Sequence, residues 1–241
     1  MALGKTWEQV VEATRLEARL STNSSRGTDH LANIKQLVKR YYYSLAEEHD
    51  WPHLKVLHND AVARKVLQAS QRFYDFPASL NAMKIEGAWV KHSGVWHQLA
   101  YGIDFADYTD YDPAESQETD PVLKWRFHGA GQFEVWPTPA TNGTADDNGE
   151  VAFDGQRVVN QLVNDNDTLE LDDMVVYLYA AAELLAGAGQ KTAAQVKAAA
   201  AEKRLSKVSG NMASKLRVIM GIGVVGQSAR RVRHPVYINR S

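Results

Sequence analysis

A mixed α+β fold is predicted by three features of this 241-residue chain: helical periodicity at its two ends, strand-like alternation in its middle, and a basic stretch after the last helix. Helices from both ends of a chain, separated by a strand-rich block, pack most simply against one another. The prediction is therefore a four-helix bundle formed by the N- and C-terminal helices, an inserted antiparallel β-sandwich or small barrel, and an extended C-terminal arm. Its expected limits are 1–50 for the first half of the bundle, 51–168 for the β insertion, 169–209 for the second half of the bundle and 210–241 for the arm.

Each element has a local reason. Thr6 and Gln9 stand at capping-box spacing, and Trp7, Val10, Val11 and Thr14 follow at helical period to about Leu20. Thr28 is placed to cap a second helix in which Leu31, Ile34, Leu37, Val38, Tyr41, Tyr42 and Leu45 share a face, and Pro52 biases Trp51 out of the helical region. "NAMKIEGAWVKH" and "VWHQLAYGI" flank Ser93-Gly94 as the arms of a hairpin. Leu123, Trp125 and Phe127, then Phe133 and Val135, alternate as a second hairpin with one dry face. The run Asp104 to Asp120, with seven acidic residues and no basic one, and the turn-rich "PATNGTADDNGE" read as exposed excursions. Helix resumes at "LDDMVVYLYAAAELLAGAG", with Asp172 or Asp173 at its start and Gly187 or Gly189 at its stop, and a last helix is expected from Thr192 to Val208.

The chain has no cysteine, which excludes disulfides, thiolate metal sites and thiol catalysis. Polar residues interrupt the N-terminus where a signal peptide needs an apolar run, so the expectation is a protein made in a cytoplasm and kept there, or carried in something assembled there. The net charge of −2 conceals a division: from Lys203 onward there are nine basic residues and no acidic one, whereas residues 1–202 carry 18 basic and 29 acidic side chains. Body and tail are electrostatic opposites.

Gly221, Gly223 and Gly226 have the spacing of a dinucleotide-binding loop. A Rossmann unit needs a second strand and an acidic residue about 20 positions on. Only 15 residues follow Gly226 and none is acidic, so no cofactor is expected. The surrounding "LRVIMGIGVV" reads instead as an apolar arm suited to adding a strand to a partner. His49, His53, His58, His92 and His97 lack a zinc motif and read as surface histidines. His58 and Asp60 lack the nucleophile elbow of a serine hydrolase, the acidic run lacks the order of a calcium loop, and Tyr41-Tyr42-Tyr43 fits core packing better than base stacking. The alanines at 180–182, 193, 194 and 198–201 permit close helix approach within a bundle or between subunits, and Arg230, Arg231 and Arg233 suit a phosphate or an acidic protein surface.

An N-terminal helical pair ending in "HDWPHL", a β insertion ending in "FEVWPTP", and "NDTLELDDMVVYLYAAAELLAGAG" leading to a last helix occur here in that order. Over roughly residues 6–208 this arrangement resembles the adaptor, or head-to-tail connector, proteins of tailed bacteriophages, including gatekeepers of the tail tubular protein A type. The resemblance implies a structural virion protein at the head–tail junction, assembled in the host cytoplasm. It implies a ring, commonly of twelve copies, docked beneath the portal protein, contacting a downstream tail protein (a nozzle, or a tail terminator or head-completion protein), with genomic DNA passing through its channel without sequence specificity. No catalytic residue, metal, cofactor or membrane is expected. The portal-docking arm would comprise Lys215, Leu216, Arg217, Val218, Ile219, Gly221, Gly223, Val224, Arg230, Arg231 and Arg233, and the subunit interface Tyr179, Ala182, Ala194 and Ala198. The competing readings are a nucleic-acid-binding protein that grips phosphates with its basic tail and, third, a metal-dependent hydrolase.

Overall fold

The computed structural model describes residues 4–20, 28–115, 117–129, 131–144 and 149–213, and these form a mixed α+β fold with five helices and two sheets. The helices are α1 (Trp7–Glu17), α2 (Thr28–Glu48), α3 (Phe105–Asp110), α4 (Asp173–Gly187) and α5 (Lys191–Ala213). The strands are β1 (Lys55–Val56), β2 (Arg64–Val66), β3 (Phe73–Asp75), β4 (Gly87–His92), β5 (Val95–Gln98), β6 (Ala100–Tyr101), β7 (Lys124–Gly129), β8 (Gln132–Trp136) and β9 (Glu150–Gln156). Two compact units divide the chain, one drawn from Met1–Leu45 and Gln161–Ser241, the other from Ala46–Asn160.

In the first unit, α1 opens on the expected capping box, in which the Gln9 N–H donates to Thr6 Oγ1 and the Thr6 N–H to Gln9 Oε1. It buries Trp7, Val10, Val11 and Thr14 and stops at Glu17, short of Leu20, because the chain turns through Arg19 at φ 56°. Helix α2 buries Ile34, Val38, Tyr42 and Leu45, one stripe at 3.6-residue period. Asp172 caps α4 by accepting the Val175 N–H, and Gly189, at φ 77°, ends the turn that follows it. Helix α4 packs on both α1 and α5. Its Ala180, Ala181 and Ala182 are buried, so backbones approach closely where larger side chains would hold them apart. Helix α5 continues to Ala213, five residues past the expected end, and carries Gly210 within it. Such a glycine costs a helix only about 1 kcal/mol.

In the second unit, the five-stranded sheet runs β1-β9-β4-β5, with β2 also paired to β9, and the four-stranded sheet runs β3-β8-β7-β6. Both contribute to one apolar cluster: Val90, Val151 and Phe153 from the first sheet meet Trp125, Phe133 and Val135 from the second, with Phe76 ringed by Trp125, Phe127, Phe133 and Phe153. Neither sheet closes into a barrel among the described residues. The β4–β5 turn falls at Ser93-Gly94, both at positive φ (52° and 76°), as a two-residue type I′ turn requires.

Three expectations are corrected here. First, the insertion is not wholly antiparallel: β6 pairs parallel with β7, which the long connection through α3 makes possible. "VWHQLAYGI" accordingly splits at buried Leu99, its first half ending one sheet and its second half the other. Second, the β7–β8 hairpin has no wet face around Glu134 and Trp136, which are 0% and 4% exposed opposite the apolar core. Third, the acidic run is not simply a solvated loop. Its first part forms α3, with Asp107 buried, because the sheet's second face offers Lys124 as counter-charge to Asp107 and the Glu134 carboxylate, with its two arginines, to the Tyr108 hydroxyl and ring.

Candidate functional site

The densest polar arrangement lies on that second face. Strand β8 sends Phe133 and Val135 into the core, so period-2 alternation turns Glu134 the other way. Arg126, directly opposite on β7, sets Nε 2.6 Å from Glu134 Oε2. Arg72, just before β3, sets Nε 3.1 Å from Oε1, and the Tyr108 hydroxyl of α3 donates to the same oxygen at 2.7 Å. Both guanidinium groups also lie over the Tyr108 ring. Beside them Lys124 Nζ bridges both Asp107 oxygens at 2.7 and 2.9 Å.

Electrostatics here favour the ordinary charge states. Burial, reinforced by the Glu134 carboxylate, pushes the Tyr108 hydroxyl up to about 12. The Lys124 ammonium, with help from the Asp104 N–H, holds the Asp107 carboxyl below its usual value, and Glu134 raises Arg126. Tyr108 thus stays a hydrogen-bond donor, and the cluster works as a clamp of α3 onto β7, β8 and the start of β3.

A second cluster sits at the start of α4. Arg204 of α5 donates through Nη2 to Asp172 Oδ2 at 2.8 Å and through Nε at 3.2 Å, and Asp172 is fully buried. Next to it Asp173 is 1% exposed, and burial raises its carboxyl to about 6 although the Lys5 N–H works to lower it. The Arg204 guanidinium is raised in turn by Asp172. Farther along α4, Tyr41 and Arg40 of α2 both pair with Glu183. Burial opposes ionisation of Glu183, but those two partners prevail and lower its carboxyl, while burial and Glu183 push Tyr41 up to about 12.

The residues expected at a subunit interface all fall on α4 and α5. Tyr179 stacks on Tyr41 at 5.8 Å between ring centroids, Ala182 and Ala194 are buried within the chain, and Ala198 is half-buried. The expected arm residues Lys215, Leu216, Arg217, Val218, Ile219, Gly221, Gly223, Val224, Arg230, Arg231 and Arg233 lie outside the described residues. Of the three tyrosines, Tyr42 is fully buried, whereas Tyr41 and Tyr43 are half-buried and use their hydroxyls on Glu183 and the Leu162 N–H. His58 does not turn to Asp60. Its Nδ1 lies 3.2 Å from Asp154 Oδ1, and its ring packs 4.7 Å from that of Trp89. Among the described residues no three His, Cys, Asp or Glu side chains converge as a metal site requires, and no helix is long and apolar enough to cross a membrane.

Sequence reasoning missed the Glu134 cluster. The signal for it was present: once the β7–β8 register is drawn, Arg126 and Glu134 face each other as a cross-strand ion pair on the face assigned to solvent.

Among the described residues the buried carboxylates Asp107, Glu134, Glu150 and Asp172 each face a lysine or arginine of the same chain, whereas Asp173 receives the Lys5 backbone N–H. The model of the SU10 adaptor protein family matches residues 7–223, and the chain belongs to that family of phage head–tail adaptor proteins. No curated protein matches the chain.

Proposed function

We propose that this chain is the adaptor ring of a phage head-to-tail connector, joining the portal to the tail and surrounding the channel through which DNA passes. The observation that carries the reading is the family match, which spans both units and reaches Gly223. Physical chemistry supports it in two further ways. A body with an excess of acidic side chains lets a polyanion slide, whereas a basic wall would hold its phosphates. The basic, apolar stretch after Ala213 suits insertion into a partner, and in this reading Lys215 to Arg233 form the arm that docks on the portal. In this reading the helices from the two ends form a bundle that builds the ring, with Tyr179 and Ala198 at its subunit contacts, and the sheet unit faces the next tail protein.

Electron microscopy of the purified chain, alone and mixed with a candidate portal protein, tests the proposal. Rings with a central hole that dock end-on to the portal are the expected result, and deletion of residues 210–241 is expected to abolish docking. A persistent monomer that binds DNA with steep salt dependence would favour the nucleic-acid reading of the basic tail instead.

A further inference from the structure

The outer face of the five-stranded sheet carries an arrangement that the Glu134 clamp does not use. Alternation turns Arg64 of β2, Trp89 and Lys91 of β4, and Trp96 and Gln98 of β5 away from the apolar cluster. The His58 ring packs on both tryptophans, 4.7 Å from Trp89 and 5.8 Å from Trp96 between centroids. The Arg64 guanidinium and the Lys91 ammonium lie over the Trp96 ring at 5.3 and 5.9 Å. The carboxylates of this face are covered and engaged: Asp154 accepts from the Trp89 indole at 2.6 Å and from the His58 backbone N–H at 2.7 Å, and buried Glu150 faces Arg64. The face therefore presents half-buried tryptophan with two cations, the residue types that carry most of the energy at protein interfaces.

The same unit carries the complement on its other outer face. Helix α3 lies against β7 and β8 through Asp107 and Tyr108, and its first residue, Phe105, is 84% exposed. Asp104 before it and Asp110 and Glu115 after it are exposed as well, and no basic residue occurs from 104 to 120. The apolar cluster shared by the two sheets separates the two surfaces, so one copy does not bring its own Phe105 to its own Trp96. Two different, complementary surfaces of one body make a head-to-tail contact, and repeated head-to-tail contacts close rings. A two-fold contact at Phe105 would instead set acidic run against acidic run.

We infer that the occupant of the Trp96 face is a second copy of this chain, with Phe105 of one copy against Trp96 of the next and the carboxylates of its acidic run set toward Lys91 and Arg64. This contact supposes copies arranged head to tail, and so rests on the ring reading while naming surfaces of the sheet unit that meet in it.

The chain has no cysteine, so introduced cysteines report the contact directly. The full chain carrying both Ala106→Cys and Gln98→Cys, two exposed positions beside Phe105 and Trp96, is treated with a short bis-maleimide and run on a denaturing gel. The expected product is a ladder of covalent multimers, absent from chains carrying either cysteine alone. Asp110→Lys is expected to lower the yield about fivefold, the factor that about 1 kcal/mol of repulsion gives, and adding Lys91→Glu to the same chain is expected to restore it. No ladder, a dimer from either single-cysteine chain, or a yield that ignores Asp110→Lys or is not restored by Lys91→Glu, in protein with an unchanged circular dichroism spectrum, would each overturn the proposal. No ladder together with tryptophan fluorescence quenched by a single-stranded oligonucleotide would give the Trp96 face to nucleic acid instead. Rings in the microscope without a ladder overturn this contact and leave the ring reading standing, whereas a ladder from open oligomers with no central hole upholds the contact and overturns the ring.

Discussion

The Tyr108 hydroxyl donates to Glu134 Oε1 across 2.7 Å, joining a helix in the most acidic stretch of the chain to a carboxylate that solvent does not reach. Two arginines share that carboxylate, so the cluster stands or falls on Glu134. Replacing it by leucine leaves Arg72 and Arg126 facing each other without a counter-charge. Glu134→Leu is expected to lose about 3–5 kcal/mol in urea unfolding, whereas Tyr108→Phe, which removes one hydrogen bond to a charged group, is expected to lose about 1.5–3 kcal/mol. Near-equal losses in the two variants would show that the arginines do not depend on Glu134.

Asp172 both caps α4 and receives Arg204. Asp172→Ala removes a helix cap and the partner of a half-buried guanidinium, for an expected loss of about 2–4 kcal/mol. Arg204→Ala leaves the cap in place but strands a buried carboxylate. Thermal melts of both variants and of the double variant are expected to show strong non-additivity, because the two side chains act as one unit.

Asp173 confers a pH dependence of definite sign. Its folded-state value of about 6 lies above the ordinary carboxylate value of about 3.9, so between the two the native state binds more protons than the unfolded chain. Stability contributed by this group therefore falls as pH rises from about 4 to 6. Asp173→Asn is expected to raise stability at pH 7 by about 1–2 kcal/mol and to leave it nearly unchanged at pH 4. Asp107 has the opposite sign: its lowered value means that the Lys124 pairing stabilises above the ordinary carboxylate range and is lost as pH falls through the lowered value. Melting temperatures across pH 3–8 for wild type and the two single variants Asp173→Asn and Lys124→Met separate the contributions.

Gly155 on β9 has no room for a side chain, since a Cβ there would lie 2.6 Å from the Lys84 carbonyl oxygen and 3.1 Å from Ile85 Cα. Gly155→Ala is expected to cost about 2 kcal/mol by forcing the turn at Ala82–Lys84 off the sheet. Gly187→Ala, with no neighbour within 4 Å, is the matched control and is expected to be neutral or slightly stabilising in the same urea titration.

Local signals were strong enough to be read directly wherever one residue type serves one backbone need. The Thr6–Gln9 box, the Ser93-Gly94 turn, the Asp172 cap and the glycine after α4 are of this kind. Strand β9 is the counter-example: it is the central strand of the five-stranded sheet, yet buried on both faces and interrupted by Glu150, Asp154 and Gln156, so it shows neither alternation nor a clean apolar run. The short strands β1, β2 and β3 escaped notice because two or three residues carry no period. The Glu134 cluster was hidden for a related reason, since Arg72, Tyr108 and Arg126 reach one carboxylate from three separate elements.

By itself, then, the sequence determined the helical ends, the strand-rich middle, the split of charge between body and tail, and the membership that pattern implies, because periodicity, capping and composition act over a few residues at a time. Only the tertiary structure decided that β6 runs parallel to β7, that the acidic run folds back as α3, and that Ala182 and Ala194 are covered within the chain. Those outcomes turn on which surfaces meet. Lys124 on β7 draws Asp107 of the acidic run out of solvent only because the fold lays α3 across that strand, and local periodicity says nothing of that meeting.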